Sequence, residues 1–468
     1  MSMKLVFAAQ VIQMCLALRR EDEVAQQPSF NSPQWLMNCG SGSPILRTRC
    51  MSEQDYDDAT QSVRDLFNDL PRRCTPENCP SADLSGCILR IAGHDFMDFK
   101  DGQGGSDACT DMEDPDNRGL PECLYEGEFG SGTVSLRDAY CQFQDKISLA
   151  DFIVLAAEAV MTHLATPGLR TSWGRRFKRQ FRYGRTTADE GCSFVEGRLP
   201  NPAESCNDVD RVFVQNMGLT WKEAAALMGV HTLGRAKIEN SGYEGWWSDA
   251  EASRTFNNNY FVALFNKGWC PELNVNNCSR REARRGTCTP KNQWQICHID
   301  KDSAHWSHQM MLDTDMCLHF RDVNGGLLQA ANDPCCAWQA SFSRIYPMTD
   351  ALLSDPGPNG EQQWCGLECG TAWPGGAGGT YECMTGKGRK QGPKEFRTCC
   401  AITFNEGNLA ECTTPVHGNP KVGGPAAIET MDFANDERVW RDSFLGAWKK
   451  ATENGFERNL RALREDTC

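Results

Sequence analysis

Apolar residues recur at helical spacing in several stretches of the chain. Val63, Leu66, Phe67 and Leu70 fall at i, i+3, i+4 and i+7, which predicts an amphipathic helix over 56–70. The run from Ser148 to Met161 is apolar on nearly every face, so it predicts a buried helix with Ser148 as its cap. Helices are also predicted over 83–96, 208–217 and 221–230, the last capped by Thr220. Trp440, Phe444 and Trp448 recur at i, i+4 and i+8 and predict a helix over 437–463. Alternation of apolar and polar positions does not stand out before residue 317, and residues 102–130, rich in glycine and aspartate, read as loop. The expected fold class is all-α, mainly helical. The pattern changes at Cys317: from there to Gly424 come nine cysteines, many glycines and prolines, and few helical periods, as in a disulfide-stapled, loop-rich insertion.

The beginning of the chain reads differently. One lysine precedes an apolar run that ends abruptly at Arg19-Arg20, too short for a bilayer span and fitting a secretory signal peptide. The expected organisation is therefore a signal peptide at 1–18, a cysteine-containing extension at 19–53, a catalytic core at 54–316, the insertion at 317–424, and a C-terminal helical part of the core at 425–468. Of 25 cysteines, one lies in the signal and 24 remain, an even number that suits disulfides and a secreted or secretory-lumen location. The formal net charge of −14, with no basic stripe, argues against a nucleic-acid partner, and no membrane span is expected. His298, His305 and His308 offer too few ligands for zinc and read as solvated side chains, while Cys365 and Cys369 read as a disulfide element.

Four segments carry chemistry. In Ala226-Leu-Met-Gly-Val-His231-Thr-Leu-Gly-Arg235, a histidine stands at a helix end among small residues, as an axial ligand to haem iron requires. In Cys87-Ile-Leu-Arg90-Ile-Ala-Gly-His94, the i, i+4 spacing puts Arg90 and His94 on one helix face. An imidazole that takes and returns a proton, beside a fixed guanidinium charge, suits cleavage of a peroxide O–O bond. Asn117 lies in a tight loop and is expected to accept the His94 N–H. Asp315, preferred to Asp313, is a carboxylate in an apolar stretch and is expected to accept the N–H of His231, raising its basicity.

These segments resemble the plant, fungal and bacterial haem peroxidase superfamily, in its ascorbate and cytochrome c peroxidase branch. The matching blocks are Leu89–Asp95, Asp114–Leu120, Ile147–Phe152, Glu196–Asn201, Met228–Arg235, Ser241–Trp247, Thr255–Phe261 and Asp432–Trp440, all in family order. The resemblance implies a two-lobed helical fold with haem b between the lobes, Arg90 and His94 on the distal side, and His231 on the proximal side. It also implies Pro200 against the haem, and Trp247 beneath it with its N–H on Asp315.

Departures from the family pattern refine the expectation. Gly93 replaces a bulky aromatic before the distal histidine and opens the pocket to organic molecules. Asn240 stands in place of the arginine that binds ascorbate; Asp83, Cys87 and Lys237 replace the three acids of a manganese site; Ala226 replaces a surface tryptophan. Asp95, Gly105 and Asp107 match the ligands of a distal calcium ion, with Cys109 in place of a serine ligand and Asp98 as a substitute oxygen. Thr232 and Ser248 match ligands of a proximal cation, but Asn257 lacks the carboxylate, so no proximal ion is expected. The expected activity is reduction of hydrogen peroxide with one-electron oxidation of small phenolic or aromatic donors. The alternatives are peroxygenase-like oxygen transfer, and a non-catalytic extracellular haem or binding protein whose insertion meets a partner.

Overall fold

The computed structural model describes residues 39–40, 44–319 and 424–468, apart from gaps of which the longest are 189–197 and 297–308, and two short strands at 363–364 and 384–385. The expected signal peptide, most of the N-terminal extension, nearly all of the insertion and the histidines at 298, 305 and 308 lie outside the described residues.

Local sequence signals start the helices where polar caps stand. Ser52 caps Glu53–Asp65 through a reciprocal box with Asp55, and Thr220 does the same for Trp221–Met228 with Glu223. Ser148 accepts from the Asp151 amide at the head of Leu149–His163, whose residues through Thr162 are all buried. That helix is the centre of the molecule: Glu53–Asp65, Pro80–Met97 and Arg170–Gln180 pack against it. Asp151, fully buried, pairs with Arg185 at 2.9 Å and accepts from the amides of Gly184 and Arg185, so its charge is balanced and hydrogen-bonded.

The C-terminal helix Glu437–Glu453 packs on Trp221–Met228. Trp440, Phe444 and Trp448 face inward, and with Trp173 and Phe256 they make a buried aromatic cluster. Burying a ring such as Phe444 contributes about 1.5–3 kcal/mol. The Trp440 indole donates to the Ala226 carbonyl at 3.0 Å, which ties this helix to the element leading to His231.

Several expectations are corrected. The first helix runs 53–65 rather than 56–70, because the Ser52 box starts it early. The predicted helix 208–217 is a short α-helix, Ser205–Val209, that continues as π-helical turns over Asp210–Asn216. The last helix stops at Glu453 rather than Leu463, because Asn454-Gly455 ends it and Gly455 takes φ +83°. Strands do occur before residue 317. Gly127–Phe129, at the end of the stretch read as loop, pairs antiparallel with Gly132–Val134 just beyond it, and Trp269–Glu272, Gln293–Ile296 and Met310–Met311 form a three-stranded antiparallel sheet. Two to four residues are too few for alternation to register.

Disulfides pin the ends and the core: Cys39–Cys141, Cys50–Cys468, Cys74–Cys79, Cys206–Cys317 and Cys278–Cys288. The edges of the 317–424 segment lie in the core. Cys317 is buried, Gly424 N–H donates to the His319 carbonyl at 2.7 Å, and Ala426 N–H to that of Leu318 at 3.0 Å. The chain thus leaves and re-enters at one place. Among the described residues, no helix is long and apolar enough to cross a membrane.

Candidate active site

His231 sits where the helix Trp221–Met228 tightens into a 3₁₀ turn, Gly229–Thr232. Small residues around it allow close packing. A Cβ on Gly229 would come within 2.5 Å of the Trp440 indole nitrogen, and one on Gly234 (φ +82°) within 2.7 Å of the Gly86 Cα. The second contact draws the distal helix Pro80–Met97 against the segment after His231, so the two halves of the site hold a fixed separation.

Asp315 gathers the proximal side. Its Oδ1 accepts from His231 Nδ1 at 2.8 Å and from the Tyr260 hydroxyl at 2.9 Å. Its Oδ2 accepts from the Trp247 indole at 2.7 Å and from the Leu312 amide at 2.8 Å. The carboxylate is fully buried, yet four donors meet it, which offsets desolvation. Trp247 stacks on His231, and Tyr260 meets it edge-on. Asp313, the alternative candidate, serves the sheet instead by accepting from the Trp294 indole at 2.7 Å. Tyr260 was not singled out by sequence reasoning, although it lies in the block 255–261; it is buried at the start of the helix Asn259–Asn266.

On the opposite side, Arg90 and His94 share one face of Pro80–Met97. His94 Nδ1 donates to Asn117 Oδ1 at 2.7 Å, which fixes the tautomer and leaves Nε2 as an acceptor. Asn117 is buried in the 3₁₀ turn Pro115–Asn117, which Asp114 caps. Arg90 donates to the carbonyls of Arg118 at 2.8 Å and of Asp116, so both distal side chains are braced by one turn. Burial, then the Arg90 charge, pushes His94 down to about 3, and the Asn117 bond acts against this. Burial lowers Arg90 to about 10, still charged at neutral pH.

Between the two sides lies a cavity of about 300 Å³, within the size range of ligand pockets. Arg90, Gly93, His94, Pro200, His231 and Trp247 all line it, with Leu199, Phe213, Leu227, Leu233 and Leu312 as apolar wall. A Cβ on Gly93 would meet only the Met97 methyl, at 3.8 Å, so the distal roof is open there. At the rim, Asp83 is held by Arg235 at 2.9 Å and Lys237 at 3.4 Å, and Asn240 packs on Gly119.

These residues fit a haem. The His231 side chain is 30% exposed, although its carboxylate partner is wholly buried. With Nδ1 engaged, Nε2 is the nitrogen left for a metal in the apolar slot.

A second polar cluster lies behind His94. Asp95, Asp98 and Asp107 are close enough to perturb one another; burial raises all three, Asp98 to about 7 and Asp107 to about 6. Asp95 Oδ2 accepts from the Ala108 amide, whereas Asp95 Oδ1, Ser106 Oγ and Thr110 Oγ1 are buried with no hydrogen-bond partner among the described residues. Gly105 donates its amide to Asp98 Oδ1 at 2.7 Å, and Cys109 is disulfide-bonded. Among the described residues, no group of three or more His, Cys, Asp or Glu side chains is set to hold a metal. Thr232 bonds to Asn257 Oδ1 at 3.1 Å, and Ser248 to Ser253 at 3.3 Å.

Comparison with known proteins identifies the family. The family model described as peroxidase matches residues 59–330, more than half of the chain. The peroxisomal L-ascorbate peroxidase 5 of Arabidopsis thaliana is 30% identical over 223 residues, 46% of this chain and 67% of that protein. The mitochondrial cytochrome c peroxidase of Candida glabrata is 30% identical over 194 residues, covering 40% and 48% respectively. The corresponding protein of Pyricularia oryzae is 28% identical over 214 residues, covering 44% and 52%. The chain thus spans between about half and two thirds of the length of these relatives. The chain belongs to the peroxidase family.

Proposed function

We propose that this chain is a haem peroxidase that reduces hydrogen peroxide and oxidises small phenolic or aromatic donors in one-electron steps. The observation that carries this reading is the cavity itself, with an Asp315-bound histidine on one side and an Asn117-bound histidine with Arg90 on the other. Haem b, when bound, supplies an iron for peroxide and stores its oxidising equivalents. His94 Nε2 takes the proton from the nearer peroxide oxygen and returns it to the departing one. Arg90 offsets the negative charge that develops as the O–O bond breaks. Asp315 holds the His231 N–H and gives the imidazole imidazolate character, making it a stronger donor to the metal. Pro200 and the apolar wall exclude water from the slot. Replacing His94 with Leu tests the assignment: haem uptake persists, and peroxide turnover falls by about 10²–10⁴-fold. Turnover at the original rate would remove it.

Oxygen transfer to a substrate is the second reading, favoured by the open roof at Gly93. Labelled peroxide oxygen recovered in a sulfoxide product supports it; radical-coupled phenols alone do not.

The same reading includes a distal calcium ion near Asp95, Gly105, Asp107 and Asp98. The partnerless Asp95 Oδ1 and the mutual charge of three buried carboxyls support it. It also includes an oxidising compartment, secreted or secretory, because twelve cysteines among the described residues are disulfide-bonded. The 317–424 segment, whose described ends meet at Leu318–His319 and Gly424–Ala426, is proposed as an insertion that meets an extracellular partner.

A further inference from the structure

Glu158 is a buried acid that the mechanism above does not use. It lies within the central helix Leu149–His163 and is 2% exposed. Its Oε2 accepts from the Tyr56 hydroxyl at 2.8 Å, and its Oε1 from the Trp448 indole at 3.0 Å. The three residues come from three different helices, and all are buried. Trp448 lines the cavity and meets Phe96 edge-on at 5.7 Å, two residues beyond His94 on the distal helix. One carboxyl group therefore joins an indole at the cavity wall to a phenol on its far side. Among the described residues, no cation lies within ion-pair distance of Glu158. A carboxyl so placed is costly to bury unless its two donors hold it; burial raises it to about 8, so above that pH it is a carboxylate able to take a proton.

We propose that Trp448, Glu158 and Tyr56 form a proton-coupled electron relay that moves an oxidising equivalent out of the cavity and stores it on Tyr56. The relay rests on the peroxidase reading, since hydrogen peroxide acting through the bound haem is its oxidant. Trp448 gives one electron to the oxidised cofactor and becomes an indole radical cation. Tyr56 then gives one electron to Trp448, and its phenolic proton passes to Glu158 Oε2. The products are a neutral tyrosyl radical, a neutral glutamic acid and a restored indole. When a donor returns the electron, the proton goes back from Glu158 to the phenolate oxygen.

The test mixes the haem-loaded protein with an equimolar amount of peroxide at about pH 9, above the Glu158 value, without reducing substrate, and follows freeze-quenched radical spectra. The relay predicts a tyrosyl signal that narrows with ring-deuterated tyrosine and falls about tenfold or more in Tyr56→Phe and Glu158→Gln. Its formation in the unaltered protein slows in heavy water, and Trp448→Phe delays it. Tyr56→Phe keeps its haem uptake and its steady-state peroxide turnover with added donor. Mass spectrometry of peroxide-treated protein gives a second reading, in which oxidative marks leave Tyr56 and gather on other residues in Tyr56→Phe. Equal radical yield in both variants, with no solvent isotope effect, overturns the relay while leaving the peroxidase reading intact. Failure of the unaltered protein to take up haem overturns both.

Discussion

The ring of Trp247 lies stacked on that of His231, with centroids 4.2 Å apart and planes 18° apart, and both donate to the Asp315 carboxylate. The proximal side is thus one unit whose charge sits on Asp315. Asp315→Asn keeps the shape but turns an acceptor-only group into one that also donates, leaving a buried N–H against N–H clash. The expected outcome is a fall of about 10–100-fold in haem affinity or in the rate of reaction with peroxide, measured by stopped-flow absorbance. Unchanged rates would mean that His231 is not tuned by this contact.

His94 gives a pH prediction whose sign follows from its lowered pKa. An unfolded histidine titrates near ~6.5, whereas burial and then Arg90 hold the folded one at about 3. Between these values the unfolded chain binds a proton that the folded chain does not. Stability from this group is therefore complete above about pH 6.5 and lost as pH falls toward 3, at no more than about 1.4 kcal/mol per unit. The rate with peroxide is expected to stay level from pH 7 down to about 5, because the ring remains neutral. An acid limb centred near the free histidine value would contradict it.

The distal carboxyls have the opposite sign. Asp107 at about 6 and Asp98 at about 7 stay protonated in the fold well above the unfolded aspartate value. Their contribution is fully present below about pH 4 and is lost as pH rises through those folded values. A cation bound there displaces the protons, so calcium is expected to raise the melting temperature more at pH 8 than at pH 5. Chelation with no effect at either pH would exclude the ion.

Gly93→Phe tests access. The backbone there accepts a side chain, since a Cβ makes only one ordinary contact. Bulky aryl sulfides are expected to lose kcat/KM by about tenfold or more, while turnover of hydrogen peroxide with small phenols changes little. Equal losses for both would show that the substitution disturbs His94 instead of narrowing the entrance.

What the sequence revealed depended on how local each signal was. Arg90 and His94 were legible because four residues of helix place them together, and Asn117 and Asp315 because their short motifs keep a fixed order along the chain. Tyr260 was not, since nothing in its neighbours says that its hydroxyl reaches a residue 55 positions away. The same holds for Glu158, whose indole partner lies 290 residues further on. The sheet around Trp294 escaped because its strands are brief and its partners distant. The helix end at Glu453 was also missed, although Gly455, with its left-handed φ, was a local signal for it.

Haemin titration of the purified chain, followed by absorbance, tests the central claim most directly. The account predicts a saturable Soret band that shifts on adding peroxide, and a weakened or altered band in His231→Ala. A chain that stays colourless with haemin, or a His231→Ala variant with an unchanged spectrum, would contradict it.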